Sequence, residues 1–338
     1  MNAKSAPDDP IGPWFAAGES LGEFIGIPFG WIPPGAAAPE WTYLSHSEVD
    51  GIGGFARILR ERGAMIDALP QLQYGGRSSI SPFLKALAMR VVRYDRWRGQ
   101  LHWQLSQSTT AEARPRSLPP IAWHVFDKAD TLRLRQHCRR AGITVNTLLL
   151  KDLTQAIRPY LQDRAAEVPW FLPVNMRGEA SRKSDTVNCV SYVSVKVRAE
   201  EGIQMIHKKV LTALERKEHW ANWYVACVAG RMLSHEIKKF LWKHEQFAAE
   251  WNIGVFSNIG EWDAEEKVQE PACLGEWVFC PPAFSALRVA AGVVTFQNRL
   301  GLAMQAHPSL TNDPTILRAW MDAWIGGIEA SLADTTLP

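Results

Sequence analysis

His46-Ser47-Glu48-Val49-Asp50-Gly51 sets an imidazole and a carboxylate four residues apart and closes on a glycine, an H-x-x-x-D-G arrangement. Histidine is the side chain whose unperturbed pKa lets it take and return a proton near neutral pH. A carboxylate four positions on is expected to turn inward, pair with a cation and brace the loop that carries the imidazole. Gly51 is expected to permit a sharp backbone bend. Just before the stretch, residues 41–45 alternate like a short strand. Just after it, Ile52, Phe55, Ile58 and Leu59 fall at helical spacing up to Gly63. Strand, histidine-bearing turn and helix together make a setting that can present a catalytic base.

Farther toward the N-terminus, residues 1–40 are rich in Pro, Gly and Ala and read as irregular chain with one short hairpin near 24–31. In the other direction a helix is predicted over 82–98, with Leu84, Leu87, Ala88, Val91 and Val92 along one face. Arg90, Arg93, Arg96 and Arg98 lie mostly opposite, as a solvated basic face or a contact for an anionic donor or carrier. The polar run 104–120, ending in Pro119-Pro120, sets a lobe boundary. It divides an abbreviated N-terminal lobe, 1–117, from a C-terminal lobe, 118–338.

Within the second lobe, strands are predicted over 121–127, 168–174, 189–197 and 252–259, and a hairpin of 285–297 with 299–305 turns at Asn298. Helices are predicted over 129–141, closed by Gly142, then from a Thr144 or Asn146 cap to about 161, and over 202–218, 226–250 and 313–332. Strands and helices alternate irregularly and the last strands pair by hairpin. That favours an α/β sandwich with a mixed sheet over a doubly wound parallel sheet.

Composition narrows the function classes. A chain of 338 residues fits two domains or one two-lobed unit, and 46% hydrophobic content fits an ordinary globular protein. A net charge of +2 argues against nucleic acid as the main partner. Fifteen tryptophans point first to a large aromatic core and second to a wall around an apolar ligand. The five cysteines are odd in number and scattered, with no C-x-x-C or zinc-ligand spacing, so neither a disulfide framework nor a metal site is expected. No apolar signal core or membrane-length run is present, and a soluble, cytoplasmic protein without a transmembrane segment is expected.

Several pieces, in one order, resemble the condensation-domain and alcohol O-acyltransferase group of the CoA-dependent acyltransferase superfamily. His46–Gly51 matches its H-x-x-x-D-G signature. Gly142-Ile-Thr-Val-Asn146 followed by Leu148-Leu149-Leu150 is similar to a helix entry of that group, and Leu172-Pro-Val-Asn-Met-Arg177 to a strand end. Asn188 resembles the asparagine of the next strand, and Phe256-Ser257-Asn258-Ile259-Gly260 a later strand. The closing hairpin and helix also have counterparts. The resemblance implies a two-lobed chloramphenicol acetyltransferase-like α/β sandwich with mixed sheets. Two features depart from the group. Only 45 residues precede His46, so part of the usual substrate tunnel wall is expected to be absent or supplied by a partner chain, with a homodimer as one route. Ser45 also stands where peptide-forming condensation domains carry a second histidine.

The resemblance further implies acyl transfer from a thioester to an alcohol or amine acceptor. The co-substrate would be acyl-CoA or the acyl-pantetheine arm of an acyl-carrier protein, with no tightly bound cofactor. His46 would be the general base. Asp50, followed by Gly51, would be structural, paired with Arg177, and Ser257 or Asn258 would supply an oxyanion donor. Ser47 and Glu48 are read as incidental. The competing reading is a non-catalytic condensation-like module that binds a carrier protein or an acyl ligand. Other motifs fall short. His235-Glu236 begins like a zincin helix, but Lys239 stands where the second histidine belongs. Gly51-Ile-Gly53-Gly54 makes no phosphate loop, and no G-x-S-x-G elbow occurs. His207-Lys208-Lys209 and the arginines between 133 and 140 are candidates for CoA phosphates or an acidic carrier, or plain wet helix faces.

Overall fold

A computed structural model describes residues 9–66, 69–70, 84, 88, 103–105, 118–178, 187–243, 254–262 and 275–333. The helix expected over 82–98, with its arginines, falls outside these apart from Leu84 and Ala88.

Two sheets organise the chain. A six-stranded mixed sheet runs in the order β3–β9–β8–β6–β4–β5. Its strands are Ile121–Phe126 (β3), Val168–Asn175 (β4), Val190–Val197 (β5), Gly254–Trp262 (β6), Val289–Phe296 (β8) and Arg299–Ala306 (β9). β6 pairs parallel with both β4 and β8, and the remaining pairs are antiparallel. One face is covered by helices α3 (Lys128–Arg140), α4 (Val145–Ile157), α5 (Ile203–Glu215) and α8 (Pro314–Ala333). Between them and the sheet lies an aliphatic core that includes Leu149, Leu153, Val193, Val293, Leu302 and Trp324.

A second sheet of three strands, in the order β2–β1–β7, stacks near the opposite face. Its strands are Gly26–Ile32 (β1), Glu40–Ser45 (β2) and Glu276–Phe279 (β7). Close stacking depends on missing side chains. A Cβ on Gly292 would lie 1.9 Å from the Phe279 carbonyl oxygen, and one on Gly301 2.1 Å from that of Trp277. Helix α2 (Gly51–Glu61) buries Phe55 in an aromatic nest of Phe29, Trp262, Trp277 and Phe296, at centroid distances of 5.0–6.3 Å. Trp170, Trp277, Trp320 and Trp324 are fully buried, as the core reading of the tryptophans requires.

Three elements differ from the sequence expectation. Residues 12–19 form helix α1 (Gly12–Glu19), which packs on α7 (His235–Lys243). Its alternation of Gly, Pro and Ala gave no helical signal. The single helix expected over 226–250 is two, α6 (Glu218–Met232) and α7, broken at Leu233, whose backbone is extended. The expected hairpin near 24–31 is instead the first strand of a wider one, because β1 pairs with β2. The final hairpin lies where its turn residues put it: Gln297 and Asn298 have φ of 48° and 62°, the pair that a two-residue hairpin turn needs. No described helix is long and apolar enough to cross a membrane.

Candidate active site

The site grows from the end of β2. His46 follows Ser45 in the turn, its N–H donating to the Ile25 carbonyl at 3.0 Å. Asp50 caps α2: its backbone is extended (φ −96°, ψ 177°) and its Oδ1 accepts from the Gly53 N–H at 2.8 Å. The same carboxylate meets Arg177, from the end of β4, in a two-pronged pair of 2.8 and 2.9 Å. The Cys189 N–H adds a fourth bond to Oδ2 at 2.8 Å. Asp50 is 3% exposed and Arg177 2%. Such a pair has its lone pairs spent and its charge matched, so it ties the turn to β4 and the start of β5 and offers nothing to a substrate.

Gly51 serves packing rather than bending. It is the first residue of α2, and its φ is not positive. A Cβ there would stand 2.8 Å from Ile259 Cγ2 and 3.0 Å from the Phe279 ring. The expected sharp bend is replaced by close approach of the helix start to β6 and β7.

His46 is half-buried. Its Nδ1 lies 2.9 Å from the Val49 carbonyl oxygen and 3.0 Å from Asn188 Oδ1. Phe15 of α1 stacks on the ring at 3.9 Å, 16° from coplanar. Burial holds the imidazole pKa below its ordinary 6.5, against the opposing pull of the Asp50 charge. Burial thus favours the neutral ring.

Ser257 and Asn258 part company. Phe256 packs into the helix-side core, so by strand alternation its neighbour, the buried Ser257, faces the opposite side of the sheet. Asn258 points to the helical face, where its Nδ2 donates to Asn146 Oδ1 at 2.6 Å and its Oδ1 accepts from the Gly260 N–H at 2.8 Å. One of its two amide hydrogens and its carbonyl oxygen are engaged there. Ser47 is not incidental: it is buried, and its hydroxyl donates to Glu19 Oε2 at 3.0 Å, while the Ser45 hydroxyl donates to Oε1. Glu48 is exposed.

Among the basic clusters, Arg133 pairs with Asp130 on its own helix, and Arg135 with Glu261 and Asn298. His207 Nδ1 lies 3.0 Å from the Thr147 hydroxyl. Sequence reasoning did not find Asp9, Phe15 or Glu19. Asp9 followed by Pro10 and Pro13 was the available signal, as a helix-start pattern. Among the described residues no group of His, Cys, Asp and Glu is placed to hold a metal.

The architecture matches solved structures. The trichothecene 15-O-acetyltransferase TRI3 from Fusarium sporotrichioides superposes with a TM-score of 0.57 at 10% identity, over 88% of this chain and 68% of that one. The cyclization-docking bidomain of the EpoB nonribosomal peptide synthetase from Sorangium cellulosum gives 0.54 at 13% identity, over 87% and 60%. The epimerization domain from the third module of tyrocidine synthetase B gives 0.50 at 13%, over 87% and 69%. No protein-family model matches the sequence, and no curated protein does. The chain shares the mixed α/β fold of these condensation-type and acyltransferase structures. It spans between 60% and 69% of the length of these three structures.

Proposed function

We propose that this protein transfers an acyl group from a thioester, acyl-CoA or an acyl-carrier protein, to a hydroxyl or amine acceptor, with His46 as general base. The observation that carries the reading is the state of the His46 ring. Nδ1 faces two oxygens, so it holds the proton and leaves the lone pair on Nε2, and burial favours the neutral ring.

Nε2 takes the acceptor proton as the oxygen or nitrogen attacks the thioester carbonyl. A tetrahedral oxyanion forms, and its collapse breaks the C–S bond while Nε2–H returns the proton to the leaving thiolate. No covalent enzyme intermediate is needed. Ser257, buried within β6 on the side facing α2, is the one of the two expected oxyanion donors assigned that role here.

The test is thiol release from a panel of acyl-CoAs and acyl-carrier proteins with mixed alcohols and amines. The proposal expects release that needs an acceptor and falls about 10²–10⁴-fold in His46→Ala with the fold retained. Equal release with and without His46, or none from any donor, would leave a binding module of the same fold.

A further inference from the structure

Asp9, Phe15 and Glu19 belong to one short stretch, and all three grip the His46 turn. Glu19 takes the hydroxyls of the two serines that flank the histidine, and Phe15 fixes the plane of its ring. The Asp9 carboxylate, 6% exposed, works at one remove. Its Oδ1 accepts from the Ile11 and Gly12 N–H groups, each at 2.8 Å, which seats it at the start of α1. Its Oδ2 accepts from the backbone N–H of Asn188 at 3.1 Å and from Asn188 Nδ2 at 2.8 Å.

A side-chain amide has one donor end and one acceptor end, and a carboxylate only accepts. Asp9 therefore decides which way round the fully buried Asn188 sits. With the amide nitrogen held by Asp9, Oδ1 is the end that faces His46 Nδ1, and the Val49 carbonyl beside it is likewise only an acceptor. Two acceptors on one ring nitrogen require a hydrogen there.

Building on the reading of His46 as base, we propose that Asp9 is a positioning residue which, through Asn188, holds His46 in the tautomer with Nδ1 protonated and Nε2 free. Without the carboxylate, the amide loses its preferred orientation. Rotated by half a turn it presents N–H to Nδ1, which favours the opposite tautomer. In that form Nε2 carries the hydrogen and cannot accept the proton of an alcohol or amine. The Val49 carbonyl still draws Nδ1–H, so the switch is partial. Asp50 is the charged group whose field reaches the ring, and its four bonds stay intact in this exchange.

The experiment is long-range proton–nitrogen NMR on the full chain with ¹⁵N-labelled histidine, which reads each ring's tautomer without any turnover. Wild type is expected to show His46 with Nδ1 protonated. In Asp9→Asn the share protonated at Nε2 should rise, and kcat for thiol release should fall about 10–100-fold with KM little changed, less than for complete loss of tautomer control. The double variant Asp9→Asn/Asn188→Asp reverses donor and acceptor, again sets an acceptor against Nδ1, and should restore the wild-type tautomer. Should Asp9→Asn fail to fold, Asp9→Ala gives the same reading, because it removes the carboxylate that orients the Asn188 amide and leaves that amide in place.

Wild-type His46 protonated at Nε2, or a folded Asp9→Asn with an unchanged tautomer, would overturn the proposal. A normal tautomer response together with a His46→Ala protein that still releases thiol would instead sink the general-base reading and leave the hydrogen-bond relay standing.

Discussion

The histidine and the aspartate of the hexapeptide lie four residues apart and live in opposite surroundings. Asp50 is closed off: buried, paired on both oxygens with a buried arginine, and bonded to two backbone N–H groups besides. His46 is half open: one ring nitrogen is bound twice, and a phenylalanine covers the ring face. The carboxylate reaches the imidazole through its charge, not through a hydrogen bond. The aspartate is locked into the fold, and the histidine is the part of the turn to which the proposed proton transfer is assigned, so the motif spaces two different environments closely.

That division can be broken by experiment. The largest effect belongs to the closed end. Arg177→Met leaves a buried carboxylate without its cation and should cost about 3–5 kcal/mol in urea unfolding. A loss near zero would mean that the pair does not hold the turn. Next comes Gly51→Ala, where a methyl must displace Ile259 or the Phe279 ring. The expected cost is about 1–3 kcal/mol by the same measurement, with the largest side-chain shifts at those two residues.

His219 sharpens the contrast as a second buried histidine, 1% exposed. Burial, with help from Lys217, lowers its pKa to about 4, against an ordinary value of 6.5. The unfolded chain therefore binds a proton between these values that the folded chain refuses. Stability is intact above pH 6.5 and is lost as pH falls toward 4, by about 2 kcal/mol once solvent screening is allowed for. Denaturant melts of His219→Phe against wild type across that window should show a shallower decline in the variant.

The smallest effect is at His46 itself. Its lowered pKa should place the acid limb of thiol release below pH 6.5, with a flat rate above. A limb above 6.5 would mean that the Asp50 charge outweighs burial.

Much of this was legible in the chain. The strand, turn and helix around His46 follow from alternation and helical spacing, both read within a few residues. The last hairpin follows from its turn at Asn298, α3 from the closing Gly142, at φ 64°, and α4 from the Thr144 cap. Helix α1 was not legible, because it is held by Asp9 and by packing on α7 and not by its own propensity. Strand β7 was not either: four residues carry little pattern, and its partner in the sheet is β1, at the other end of the chain.

The residue types, the spacing of His46 from Asp50 and the alternating order of elements were thus determined by the sequence alone, since they rest on neighbours a few positions apart. Asn188 meets His46 across 142 residues, and Asp9 meets Asn188 across 179. Contacts at that separation leave no periodicity to read. Only the stacking of two sheets brings the oxygen of one amide to Nδ1 of His46.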